Sequence, residues 1–112
     1  MKHLTYSQIK MLQKTYNVER MQQMINDGTC WNMEGSTGRF AMMCLESGAC
    51  MLPLKPRLDY YGNRIPSRKE LKRATKGTFQ NSVNFWNRAN NGDFDAIEWL
   101  EETFGLAEKL AV

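Results

Sequence analysis

The chain has 112 residues, 42% of them hydrophobic and 24% charged, with a formal net charge of +3, which suits one globular domain over residues 1–112 that buries its core without covalent staples. No uninterrupted apolar run approaches the roughly 20 residues that cross a bilayer, and the opening MKHLTYSQIK is too polar for a secretory leader, so a cytoplasmic setting with no membrane partner is expected. Cys30, Cys44 and Cys50 are odd in number and form no C-x-x-C; zinc ligands usually come in close pairs, so the expectation is three buried reduced thiols rather than a site completed by His3, with no metal and no cofactor.

Thr5 followed by Gln8 is a capping-box pattern, and Leu4, Ile9, Leu12 and Tyr16 recur at helical spacing, which predicts a first helix over 5–16. Asn17 is placed to cap a second, with Val18, Met21, Met24 and Ile25 on its apolar face and Gly28 as its stop. After the connection TCWNMEG, a third helix is predicted from Ser36 or Thr37, carrying Phe40, Ala41, Met43, Cys44 and Leu45 as far as Gly48. The character then changes. Pro53, Pro56 and Pro66 disfavour helix, so CMLPLKPRLDYYGNRIP reads as extended, with Tyr60-Tyr61-Gly62-Asn63 turning between two short strands. Ser67 with Glu70 is a second capping box and predicts a short helix over SRKELKRAT, ended by Gly77. Thr78 caps a helix bearing Phe79, Val83 and Trp86 with Phe85 alongside, and Asn90-Asn91-Gly92 breaks it. Asp93, or Asp95 with Glu98, caps a last helix with Phe94, Ile97, Leu100 and Phe104 in its stripe, and LAEKL adds a turn beyond Gly105.

These elements predict an all-α fold: a bundle of five to six short helices with an irregular, partly extended basic insert and a small β-hairpin around 50–66. The expected core is Leu4, Ile9, Leu12, Met21, Ile25, Phe40, Cys44, Phe79, Val83, Trp86, Ile97, Leu100 and Phe104, each on a face at helical spacing.

Signs of catalysis are few. The single histidine, His3, stands two residues from the first residue, so no Ser-His or Cys-His pair can be built with assurance. Tyr60 or Tyr61 as a nucleophile lacks the accompanying histidines. Gly35-Ser36-Thr37-Gly38-Arg39 opens a helix, where backbone amides could hold a phosphate, but it is not a Walker A loop and a capped turn explains it more simply. Eight methionines serve as core filler or as an adaptable apolar surface. No enzyme is expected.

Charge is the more informative signal. Between Lys55 and Lys76 stand eight basic residues against Asp59 and Glu70, whereas residues 93–112 carry six acids against one lysine. The two regions can neutralise each other within the monomer or face separate partners. The candidate binding residues are Arg57, Tyr60, Tyr61, Arg64, Arg68, Lys69, Lys72, Arg73 and Lys76. The cations suit phosphates and the tyrosines suit stacked bases, as in single-strand binding. The same cations suit an acidic protein surface, including a second copy's C-terminal helix. The plainest alternative is a solvated loop with both tyrosines packed back on the helices. On a helix from Ser67, Arg68, Lys72 and Lys76 share one solvent-facing side. The pI of 8.8 lies below the range typical of nucleic-acid binders.

The run ESGACMLPLKPRLDYYGNRIPSR, followed by TKGTFQNSVNFW, resembles small uncharacterised accessory proteins of tailed bacteriophages. The likeness rests on Leu52-Pro53, Asp59, Tyr61-Gly62-Asn63, Ile65-Pro66-Ser67-Arg68 and Gly77-Thr78, and covers roughly residues 44–87. The resemblance implies a setting inside an infected bacterium and carries over no functional residue. The expectation is a non-enzymatic binding protein that occupies a surface of a bacterial host or defence protein or nucleoprotein. The alternatives are a nucleic-acid-binding accessory protein using 55–76, and a small, self-associating structural subunit of a virion.

Overall fold

Five α-helices and one two-stranded ribbon make up the computed structural model, which describes residues 4–33 and 35–105. Helix α1 spans Tyr6–Thr15, and both halves of its capping box form: Gln8 N–H donates to Thr5 Oγ1 at 3.2 Å and Thr5 N–H to Gln8 Oε1 at 2.8 Å. Helix α2 spans Glu19–Asp27. Asn17 does not cap it. Asn17 sits in the left-handed region at φ 65°, turning the chain between α1 and α2, and Val18 stands at the N-cap without a side-chain bond. Gly28, at φ 83°, ends α2 as expected, and a Cβ there would lie 3.2 Å from Arg57 Cγ. The TCWNMEG connection contains a 3₁₀ turn at Thr29–Asn32, and α3 follows at Gly35–Ser47. Strands β1 (Arg57–Leu58) and β2 (Arg64–Ile65) form the ribbon. Helices α4 (Phe79–Asn90) and α5 (Phe94–Phe104) are capped by Thr78 and Asp93. Helix α4 packs against both α1 and α5, and α1 against α2.

Residues 48–53 run through the middle of this bundle without regular structure, and Ala49, Cys50, Met51 and Leu52 are all buried. Buried backbone must find partners, and side chains from three elements supply them. Gln13 Nε2 and Trp86 Nε1 both donate to Ala49 O, at 2.9 and 3.1 Å. Gln22 closes a pair with Met51, accepting from its N–H at 2.8 Å and donating to its carbonyl at 2.9 Å. Ser82 Oγ donates to Gly48 O at 2.7 Å. Leu52 N–H donates to Gly77 O at 2.8 Å, and Gly77 cannot carry a side chain, because its Cβ would fall 2.6 Å from Leu52 Cγ. The insert is therefore extended as predicted, but its first four residues, 50–53, belong to the core.

Three more predictions need correction. SRKELKRAT forms turns, not a helix. Half of its capping box exists, with Ser67 N–H donating to Glu70 Oε2 at 2.8 Å. Arg68 N–H, however, donates to Pro53 O at 2.9 Å and Ala74 takes φ 71°, so the segment follows the buried thread instead of coiling. Phe79 and Phe94, expected in the apolar stripes, are 36% and 75% exposed. Both stand at the first position of their helices, ahead of the buried faces, which begin three residues on at Ser82 and two residues on at Ala96. Leu12, Phe40, Ile97 and Phe104 pack against the core while partly exposed, and the other predicted core residues are buried. The LAEKL turn and His3 lie outside the described residues.

All three cysteines are free and buried. Burial, then the charge of Asp27, pushes the Cys30 thiol up to about 12. Burial, then hydrogen bonding with Cys44, raises Cys50 well above the ordinary thiol value. The folded chain holds the Cys30 and Cys50 thiols protonated; the associated stability is intact at neutral pH and is lost as pH rises above the ordinary thiol range. Native protein is thus expected to resist a thiol reagent at neutral pH, while denatured protein yields three reactive thiols. Finding one thiol in denaturant overturns this. Among the described residues, no three His, Cys, Asp or Glu side chains gather as a metal site.

Candidate binding surface

The hairpin is built around Asp59. Strands β1 and β2 pair antiparallel, with Arg57 opposite Ile65 and Leu58 opposite Arg64. The Asp59 carboxylate accepts from Tyr61 N–H at 2.9 Å, Asn63 N–H at 2.8 Å and Asn63 Nδ2 at 3.2 Å. These donors, the Asn63 amide foremost, hold the carboxyl below its usual range. The turn is thus braced at neutral pH and loosens only as pH falls through that lowered value. Tyr60 N–H donates to Trp31 O at 3.2 Å, which ties the tip to the 3₁₀ turn.

On this support Tyr60 and Tyr61 stand 73% and 85% exposed, their rings edge to face at 5.3 Å. They are not packed back on the helices. A cleft of about 380 Å³ lies between them and the start of α3, lined by Trp31, Met33, Gly35 and Gly38. Here too is the Gly35–Arg39 turn. The Arg39 guanidinium folds back over it, with Nη1 3.0 Å from where a Gly35 Cβ would stand. A second cleft, of about 360 Å³, lies between α3 and β2 and includes Trp31, Met42, Leu45, Leu52 and Ile65 with Glu46 and Lys76.

The predicted basic residues divide into three groups. Arg68 does not project to solvent. It is 6% exposed, donating from Nε to Leu52 O at 2.6 Å and from Nη2 to Asn26 Oδ1 at 3.0 Å. Arg57 lays its stem over Gly28 and donates from Nε to Asn26 O at 3.0 Å. Both serve the fold: Arg68 supplies a donor to irregular buried backbone and Arg57 one to a carbonyl in the last turn of α2, which has no partner within the helix. Arg64 pairs with Glu70 at 2.7 Å, and the Ser67 amide followed by Arg64 holds the Glu70 carboxyl low. Arg73 donates to Gln80 Oε1 at 2.9 Å. Lys69, Lys72 and Lys76 are exposed without an ion pair among the described residues.

Among those residues the ion pairs are Arg64–Glu70 and Arg88–Asp93, so none joins the basic loop to the acidic α5. Instead Glu98 on α5 is raised by partial desolvation and by the neighbouring charges of Glu102, Asp95 and Glu101. The two charged regions face outward separately.

Sequence reasoning passed over Trp31, Met33 and Ile65 as surface residues, and offered Met42 only among methionines that serve as core filler or as an adaptable apolar surface. Trp31 stood in an unassigned connection, and the others carried no polar signal. The fold and this surface define a small, mostly helical protein that presents an aromatic hairpin beside a cationic loop. Among its described residues, no helix is long and apolar enough to cross a membrane. The chain matches no protein-family model, and neither a curated protein nor a solved structure shows significant similarity to it.

Proposed function

We propose that this is a non-enzymatic binding protein that acts by occupying a surface of a partner protein. Its likeness to small tailed-phage proteins makes a bacterial host or defence protein the expected partner. One observation carries the proposal: two adjacent tyrosines are held in solvent on a hairpin braced by Asp59. Exposed aromatics cost hydration free energy in the free protein, and tyrosine is enriched among the residues that dominate protein interfaces. A braced turn also loses little conformational entropy on docking.

The test is capture from bacterial lysate on immobilised protein, with nuclease present. The double variant Tyr60→Ala, Tyr61→Ala is expected to keep the melting temperature and lose the captured protein. Capture that survives the double substitution, or that vanishes with nuclease alone, overturns the proposal.

Nucleic acid is the second reading, favoured by Lys69, Lys72 and Lys76, which are exposed without an ion pair among the described residues. Burial of Arg68 and pairing of Arg64 leave fewer cations for phosphates than the sequence suggests. Three phosphate contacts correspond to a log-log salt slope of about −2 to −3. Stacked tyrosines would each contribute roughly 1–3 kcal/mol to single-strand binding. Flat anisotropy titrations with single- and double-stranded oligonucleotides at low salt remove this reading.

A further inference from the structure

The two clefts flanking the hairpin share Trp31, which forms part of the wall of each. Around them the chain leaves Met33, Met42, Leu58, Tyr60 and Tyr61 exposed. Single exposed apolar side chains are ordinary; here Met33, Tyr60 and Tyr61 line the first cleft and Met42 the second, which gathers exposed apolar surface on both sides of Trp31. The Trp31 Nε1 donor is shut off from solvent and has no acceptor among the described residues, an omission that native interiors seldom tolerate. One flexible methionine lines each cleft, Met33 in the first and Met42 in the second, and can adapt to a bulky group, and a cleft of this size takes one large side chain with its backbone.

Charge indicates what accompanies that side chain. Lys76 takes part in the α3–β2 cleft. Lys72 belongs to the same tight loop, where Thr75 N–H donates to Lys72 O at 3.1 Å and Thr78 N–H to Thr75 O at 3.1 Å. Neither lysine has a carboxylate partner among the described residues. Among the described residues, Glu46 is the one acid lining the cleft and lies across it on α3, opposite the cationic loop. A bound segment is thereby given a direction as well as a sign.

We propose that the α3–β2 cleft beside Trp31 receives a short segment of a partner protein, with one bulky apolar side chain against Trp31, Met42 and Ile65 and flanking carboxylates toward Lys72 and Lys76. This deepens the protein-binding function and rests on it. The hairpin tyrosines then cover the neighbouring cleft at the rim of the same contact.

The test uses fluorescein-labelled short peptides, each with one central Trp, Phe, Leu or Met flanked by glutamates. The controls are lysine-flanked copies and an oligothymidylate of similar length. Anisotropy at low salt is expected to show binding of at least one glutamate-flanked peptide, weakening as salt rises. The lysine-flanked copy is expected to bind about tenfold more weakly or worse. Met42→Glu, and separately the pair Lys72→Glu, Lys76→Glu, are expected to weaken the glutamate peptide about tenfold, since each sets a like charge against it. All these positions are exposed, so circular dichroism and melting should match the parent.

No binding by any glutamate-flanked peptide overturns the inference, as does equal binding of the lysine-flanked copies. Binding unaffected by Met42→Glu also overturns it, and stronger binding of the oligothymidylate moves the site to nucleic acid. Failure here with tyrosine-dependent capture from lysate intact removes only this cleft. Peptide binding that persists while capture ignores the tyrosines removes the hairpin-tip reading instead.

Discussion

Trp86→Ala is expected to lower the stability of the fold by about 3–5 kcal/mol, the range for removing a fully buried large aromatic. The side chain is 0% exposed and meets Phe85 edge to face at 5.1 Å and Tyr16 at 5.9 Å. It also contributes a polar bond that a plain core residue would not. Its Nε1 donates to Ala49 O, a carbonyl on buried irregular backbone that Gln13 also serves. Truncation therefore leaves a cavity and removes one of two donors to that carbonyl. Phe79→Ala is the matching control. Phe79 lies on the same predicted stripe but is exposed, so its loss is expected to cost about 1 kcal/mol or less. Chemical denaturation of both variants decides the matter. An unchanged midpoint for Trp86→Ala would show that the indole is not part of the core, and equal shifts for the two would show that the stripe is buried throughout.

That pair of residues also shows where the sequence was legible. Period and caps located the helices because both are local: Thr5 with Gln8, Thr78 and Asp93 each bond within three residues of themselves. The hairpin was legible for the same reason, since Gly62 and Asn63 are local turn signals, whereas the bracing by Asp59 and the tie of Tyr60 to Trp31 emerge only in the fold. Periodicity gives only the direction of a face, not its depth. Phe79 and Phe94 share the phase of their stripes yet start before the buried surface does. The segment Gly48–Pro53 was out of reach because its partners, Gln13, Gln22, Ser82 and Trp86, come from distant positions, and two are glutamines on helices that would ordinarily be taken as solvent-facing. The same blindness turned Arg68 into a surface cation: a basic residue in a basic run looks solvated until the carbonyls it meets are known. Of the candidate surface, the tyrosines and lysines were visible by exposure-prone chemistry, whereas Trp31 and Met42 acquire their role only when the hairpin lies beside α3.

Arg68→Ala is expected to destabilise the chain by about 3–5 kcal/mol, from lost hydrogen bonds to a charged group and an orphaned buried carbonyl. The guanidinium meets Leu52 O and Asn26 Oδ1, places Nη1 3.4 Å from Met51 Sδ, and lies over the Tyr6 ring with Cζ 5.7 Å from its centroid. It thus links α1, α2 and the buried thread. Burial lowers its pKa from the ordinary arginine value, yet arginine stays charged, so its donors remain in place across the accessible pH range. Two substitutions separate geometry from charge. Arg68→Lys keeps the charge but cannot fork to Leu52 O and Asn26 together, and is expected to lose roughly half as much stability as Arg68→Ala. Arg68→Glu sets a carboxylate against Leu52 O in a buried site, and is expected to leave the chain unfolded or nearly so. Lys72→Glu with Lys76→Glu, on the exposed loop, is expected to stay within about 0.5 kcal/mol of the parent. Circular dichroism at rest and urea midpoints for the four variants measure this directly. Reversing Arg68 together with Lys72 and Lys76 would therefore be a poor probe of binding, because it confounds contact with folding. An Arg68→Ala midpoint equal to that of the parent would mean that the buried thread holds without its guanidinium, and would return Arg68 to the binding surface.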